Sequence, residues 1–287
     1  MSDGGILFCA GATKAGTSWL FRALKDHPQT HFRSIKELHY FDAIDKDRLA
    51  DQIARQERLC AAESNRMTMG QGDREHLMQR IVDRKVFIRL LQRGEDVNAY
   101  RAYLSEGAGG RLVGDFTPAY GLLSVERLSM MARIMPRVFF VYLLRDPVAR
   151  LWSQIRQVAV MRDPSKMLTR ARADRIFERT LKGNEGEITS RSDYEGAVSR
   201  LTQAAGDNLH VAISEEVTEK AGFHRLCRAL GLAEYPPLAA TINEGQSLDM
   251  TDDQRARARD WLQPQYDFVA RHLGALPPSW DGAMTRV

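Results

Sequence analysis

The chain alternates short unbroken apolar runs with longer stretches spaced for helix. Residues 6–10, Ile-Leu-Phe-Cys-Ala, read as a buried strand ending at Gly11. Residues 18–26 place Leu20, Phe21 and Leu24 on one face, which predicts a helix, and Pro28 follows its end. A short strand is predicted at 30–33, and 112–115 reads as a strand end leading into Thr117-Pro118. Ser124 suits the cap of a helix running to Met135 and closed by Pro136. Residues 138–144 form the clearest strand, apolar on both faces as in the middle of a parallel sheet. Pro147 then fits the first turn of a helix through Met161.

Further along, 162–193 is polar and irregular, with room for a short helix. Residues 194–205 predict a helix before Gly206, 209–214 a strand, and 223–230 a helix closed by Gly231. A loop at 243–246 precedes helices at 252–262 and 268–273. Residues 45–104, rich in Arg, Gln, Glu and Met, predict two or three helices broken around Gly70-Gln71-Gly72. Strands alternating with helices imply an α/β fold, a central mostly parallel sheet flanked by helices. With no repeat, low-complexity tract or linker, a single domain over 1–287 is the simplest organisation. The 45–110 region then reads as a helical, insertion-like part of it.

Composition narrows the function. A hydrophobic share of 44% fits a globular protein. Lys plus Arg number 41 against 37 Asp plus Glu, a net charge of +4 that suits an anionic ligand but is too small to argue for nucleic acid. Cys9, Cys60 and Cys227 are odd in number and lack metal-type spacing, so free thiols in a reducing compartment are expected. No basic region with a long apolar stretch and cleavage site opens the sequence. The first apolar run falls far short of the roughly 20 residues that span a bilayer. A cytoplasmic protein without stable membrane insertion is expected.

Two segments carry candidate chemistry. Gly11-Ala12-Thr13-Lys14-Ala15-Gly16-Thr17-Ser18 lies between a strand and a helix. Small residues let backbone N–H groups approach an anion, the helix N-terminus adds its dipole, and Lys14, Thr17 and Ser18 add charge and hydroxyls. It is not a Walker A loop, because Lys14 precedes Gly16 and no lysine follows that glycine. The second segment runs from Arg145-Asp146-Pro147 to Ser153. Arg145 would emerge at the carboxyl end of the most buried strand, where open α/β sheets bind ligands. Its planar fork suits phosphate, with the Ser153 hydroxyl two helical turns on. The alternative is an Arg145–Asp146 salt-bridge turn. Arg150 reads as a solvated helix residue.

Together these segments resemble the PAPS-dependent sulfotransferases, which use 3′-phosphoadenosine-5′-phosphosulfate as donor. Lys14-Ala15-Gly16-Thr17-Ser18-Trp19 is similar to the family's 5′-phosphosulfate loop, and Arg145-Asp146-Pro147 with Ser153 to its 3′-phosphate motif. Lys36-Glu37-Leu38-His39-Tyr40-Phe41-Asp42 and Asp115-Phe116-Thr117-Pro118-Ala119-Tyr120 resemble segments of the branch that includes heparan sulfate sulfotransferases. Tyr194 and the loop holding Asn243 are further landmarks. The resemblance implies a P-loop-like fold. It implies a donor, with PAP as product, held by Thr13, Lys14, Ala15, Gly16, Thr17, Ser18, Trp19, Arg145 and Ser153. Trp19 would stack on the adenine. It implies catalysis by Lys14, Glu37 and His39, and an acceptor met by Asp42, Phe116 and Gln157. Phe116 stands where sugar-modifying members carry a lysine. An apolar ring cannot pair with sulfate or carboxylate, which weighs against an acidic polysaccharide.

A sulfuryl group carries less charge than a phosphoryl, so no metal is expected to be required. Lys14 would stabilise the leaving oxygen and Glu37 would take the acceptor's proton, with His39 orienting the acceptor or acting as base. The expected partner is a small-molecule or glycan hydroxyl acceptor, not nucleic acid. A nucleotide kinase or triphosphatase, and a non-catalytic nucleotide-binding protein, are the alternatives.

Overall fold

The unbroken apolar runs become the strands of one sheet. A computed structural model describes residues 4–239 and 246–281, so Asn243 lies outside the described residues. In chain order the first elements are β1 (Ile6–Gly11), α1 (Thr17–Lys25), β2 (Thr30–His31) and α2 (Tyr40–Asp45). Then come α3 (Leu49–Thr68), α4 (Arg74–Leu91), α5 (Val97–Ser105) and β3 (Leu112–Asp115). A 3-10 turn (Pro118–Leu122) leads to α6 (Val125–Met131), β4 (Val138–Leu144) and α7 (Pro147–Met161). The rest comprises α8 (Arg170–Leu181), α9 (Gly186–Ser192), α10 (Tyr194–Ala205), β5 (Leu209–Ile213), α11 (Ser214–Val217) and α12 (Lys220–Ala229). Helices α13 (Asp252–Trp261), α14 (Gln263–Leu273) and α15 (Pro278–Asp281) close the described chain.

The sheet has five strands in the order β2-β3-β1-β4-β5, and every pairing is parallel. β1 is buried at every position and β4 at nearly every one, so both faces are covered, as their apolar sequences require. From β1 the chain runs out to β2 and β3, then crosses back to β4 and β5. The order therefore reverses between β1 and β4, and their carboxyl ends open the crevice where such sheets bind ligands. Gly11 ends β1 against β4, where a Cβ would sit 2.2 Å from the Tyr142 ring.

Elements that the apolar pattern left vague are now defined. The 162–193 stretch holds α8 and α9, which bury Ala173, Ile176, Phe177 and Ile188 among mostly polar residues. The helix closed by Pro136 in the sequence reading stops at Met131, and α14 begins five residues earlier than the pattern suggested. The α3–α5 region is not peripheral: Phe87, Leu90, Leu91 and Tyr100 join the main core. Arg150 is a correction. It is fully buried, donates to Gln154 Oε1 at 2.7 Å and also bonds Ser192 Oγ. Among the described residues, no helix is long and apolar enough to cross a membrane.

Candidate active site

The turn after β1 and the start of α1 form one wall of a cleft, lined by Thr13, Lys14, Gly16, Thr17, Ser18 and Trp19. Gly16 has φ 82°, and a Cβ there would meet Ser214 Oγ at 2.8 Å, so this turn requires glycine. α1 has no side-chain cap and no acidic residue in its first turn. Its leading N–H groups and dipole thus remain available to an anion. Ala15 contributes backbone only, since its methyl is buried. Trp19 lines the cleft but is 7% exposed. Its indole N–H donates to Leu238 O at 3.3 Å and its ring packs edge-on against Phe223, so most of the ring serves the core.

Arg145, Ser153 and Gln157 line the same cleft. The Arg145–Asp146 salt-bridge turn does not form. Asp146 instead caps α7 by accepting from Ala149 N at 2.7 Å, and its other oxygen accepts from Tyr266 OH at 2.6 Å. Tyr194 OH donates to Arg145 O at 2.7 Å, fixing the strand exit. The Arg145 guanidinium then reaches across to Lys14 O at 3.1 Å. Among the described residues neither Lys14 nor Arg145 forms an ion pair. Burial first, then the charges of Arg145 and Arg156, push the Lys14 ammonium below its usual range. Unpaired cations around an uncapped helix start fit a ligand with separate anionic groups.

Glu37 and His39 complete the cleft. In an extended loop residues two apart would point to one side. Instead Glu37 and His39 have φ of 59° and 52°, yet their side chains still meet. His39 Nδ1 donates to Asp42 Oδ2 at 2.8 Å, and its Nε2 faces Glu37 Oε2 at 3.8 Å, an ion-pair distance. Burial alone would lower the His39 pKa, but the Asp42 and Glu37 carboxylates outweigh it and raise it to about 9. Burial would likewise raise Glu37, but His39 and Lys36 outweigh it and hold its carboxyl well below the usual range. At neutral pH the pair is therefore imidazolium and carboxylate. Lys36 Nζ donates to Glu37 Oε1 at 2.8 Å and to Thr17 Oγ1 at 3.2 Å, tying this loop to the anion loop.

The α3–α5 helices hold the Glu37 loop in place. Asp83 on α4 accepts from Ser34 N at 2.7 Å and from Ser34 Oγ at 2.6 Å. Gln52 on α3 donates to Leu38 O at 2.5 Å, and Tyr40 OH donates to Gly94 O at 3.0 Å.

Two expected acceptor residues stand elsewhere. Phe116 does not reach the cleft: it is 1% exposed and its ring packs against Phe21 and Phe32 in the core. Asp42 does not line the cleft either and acts through its bond to His39. Asp115 is buried and accepts from Thr117 Oγ1, Tyr100 OH and Tyr120 OH, so it is a structural carboxylate rather than a reserve base. The sequence reading assigned no role to Lys36, which stood in the 36–42 motif, or to Arg191, in the irregular 162–193 stretch; Arg191 also lines the cleft. A more open depression of about 510 Å³ near Arg127 offers nothing comparable, because Arg127 is committed to Asp45 and Glu95. Among the described residues no group of His, Cys, Asp and Glu is placed to hold a metal ion.

Solved structures share this architecture. A sulfotransferase from Alicyclobacillus acidocaldarius matches with a TM-score of 0.63 and 17% identity, covering 98% of this chain and 99% of that one. The sulfotransferase domain of the Synechococcus PCC 7002 olefin synthase matches with a TM-score of 0.56 and 16% identity, covering 96% of this chain and 97% of that one. A sulfotransferase domain from the curacin biosynthetic pathway gives 0.53 and 15%, covering 97% and 99%. No curated protein matches by sequence. At these identities the likeness establishes the fold; membership comes from the Sulfotransferase family model, which matches residues 7–237, and the chain thus belongs to the sulfotransferase family, whose donor is PAPS.

Proposed function

We propose that this cleft passes a sulfuryl group from PAPS to an acceptor hydroxyl, with Lys14 and Glu37 as the catalytic groups. The observation that carries this reading is the meeting, in one cleft, of three segments far apart in sequence: the 13–19 loop, Arg145 with Ser153, and Glu37 with His39. The 13–19 loop and the start of α1 would hold the 5′ end of the donor. Arg145 and Ser153 would hold its 3′-phosphate. When bound, the donor supplies an activated sulfuryl group. Lys14 donates to the bridging oxygen as its bond to sulfur breaks and negative charge collects there. Glu37 is ionised throughout the neutral range and takes the acceptor's proton as the new O–S bond forms. In a loose transfer the acceptor gives up its proton late, once it has become strongly acidic, so a weak base suffices. His39, protonated at neutral pH, orients Glu37 and the acceptor rather than serving as base.

The likeness of residues 36–42 and 115–120 to the heparan sulfate branch supports a carbohydrate or small-metabolite hydroxyl as the acceptor. A core running from Ile6 to Trp280 supports reading the chain as one domain. The test offers labelled PAPS to pools of hydroxylated carbohydrates and metabolites, with products read by mass spectrometry. One added sulfuryl group per product, matched by PAP release and lost in Glu37→Gln, is the expected result. Consumption of ATP with magnesium and a phosphorylated product would instead establish the kinase reading.

A further inference from the structure

Phe116 weighed against an acidic acceptor only while it was assigned to the cleft. Its ring lies in the core, so its apolar character does not bear on the acceptor. Besides Lys14 and Arg145, Arg191, at the end of α9, also faces the cleft. α9 is clamped against α7, because buried Arg150 bonds Ser192 Oγ, which itself donates to Ile188 O at 2.8 Å. The same short helix packs on the 3-10 turn whose Pro118 and Ala119 line the cleft. That turn adjoins the base loop, since His39 N donates to Thr117 Oγ1 at 3.4 Å. Arg191 therefore lines the cleft beside the turn that adjoins the Glu37 loop, and Gln157 lines the same cleft.

The Arg191 guanidinium is weakly committed. Its ion-pair partner among the described residues is Glu187 at 2.7 Å, whose side chain is 71% exposed against 24% for Arg191. Such a solvent-washed pair contributes little. Its Nε is buried and has no hydrogen-bond partner among the described residues. A planar fork with unspent donors, on a clamped helix in the same cleft as the Gln157 amide, matches a carboxylate.

We propose that Arg191 reads a carboxylate on the acceptor, so that the enzyme sulfates a hydroxyl compound that also carries a carboxylate. This rests on the sulfotransferase reading of the cleft. Arg191 and Gln157 grip the carboxylate while Glu37 faces the hydroxyl to be sulfated.

The test compares phenyl β-D-glucuronide with phenyl β-D-glucoside, which differ by a carboxylate in place of a hydroxymethyl group. Transfer from PAPS gives kcat/KM for each, and calorimetry gives the Kd of each for the PAP-bound enzyme. The wild type should favour the glucuronide by roughly 10–100-fold, as a charge-assisted contact implies. Arg191→Ala should remove that preference, chiefly through KM and Kd, with PAP affinity retained, and Arg191→Lys should restore part of it. Equal affinity for both glycosides, no binding of the glucuronide, or a preference that survives Arg191→Ala overturns the proposal. Loss of PAP binding by the wild type would instead sink the sulfotransferase reading itself; PAP bound without glucuronide preference sinks only this inference.

Discussion

Replacing Asp42 by Asn keeps the size and an acceptor oxygen beside His39 but removes the charge that meets Nδ1 at 2.8 Å. In the wild type the imidazole moves from its ordinary 6.5 to about 9. At about 1.4 kcal/mol per unit this linkage has an upper value of about 3.5 kcal/mol. The Glu37 side chain is 40% exposed, so solvent screening reduces its share and about 2 kcal/mol is expected. The folded-state pKa is raised, so this stabilisation is fully present below about pH 6.5 and is lost as pH rises through about 9. Asp42→Asn should bring the His39 titration down by about 1–2 units and shrink the loss of stability between pH 6 and 9 to about 1 kcal/mol. NMR titration of the His39 ring, assigned with His39→Asn, reads the first. Urea unfolding of both proteins at the two pH values reads the second, and the difference between proteins cancels other titrating groups. A wild-type His39 titrating near 6.5, or a titration unmoved by Asp42→Asn, would refute the imidazolium–carboxylate arrangement.

Four further substitutions probe the cleft and its support. Lys14→Ala should lower turnover roughly 10²–10³-fold in the PAPS assay, with a smaller loss of PAP affinity because Arg145 and the loop amides remain. Glu37→Gln should cost roughly 10²–10⁴ in turnover with PAP affinity retained, and His39→Asn should cost less; the reverse order would move the base role to His39. Asp83→Ala removes the carboxylate that holds Ser34 and Arg33, and a urea midpoint shift worth about 3 kcal/mol is expected, with less than about 1 kcal/mol contradicting its anchoring role.

The sheet centre was legible because β1 and β4 are buried on both faces and so carry unbroken apolar runs. The anion loop and the Arg145 turn were legible because small residues and a planar cation follow those strands, which the fold then places side by side. The α3–α5 helices and their break near Gly70-Gln71-Gly72 were legible too, but their hold on the Glu37 loop was not, because it runs through Asp83 and Gln52, polar residues with no periodic signature. α9 escaped because Ile188 and Ser192 are its only buried residues. Arg150 was misjudged because its helix position does not reveal Ser192, which is distant in sequence but satisfies it. Phe116 was assigned from its place in a motif, while the chain leaving β3 turns that ring into the Phe21 and Phe32 cluster.

The central claim is that the donor is gripped at both ends, by the Lys14 loop and by Arg145 with Ser153. The direct measurement is thermal or denaturant unfolding with PAP and with AMP, which lacks the 3′-phosphate, in the wild type and in Arg145→Ala. PAP at about 100 times its Kd should add ~2.7 kcal/mol, with AMP at the same concentration adding far less and Arg145→Ala closing the gap. Equal stabilisation of the wild type by AMP and PAP would contradict the account.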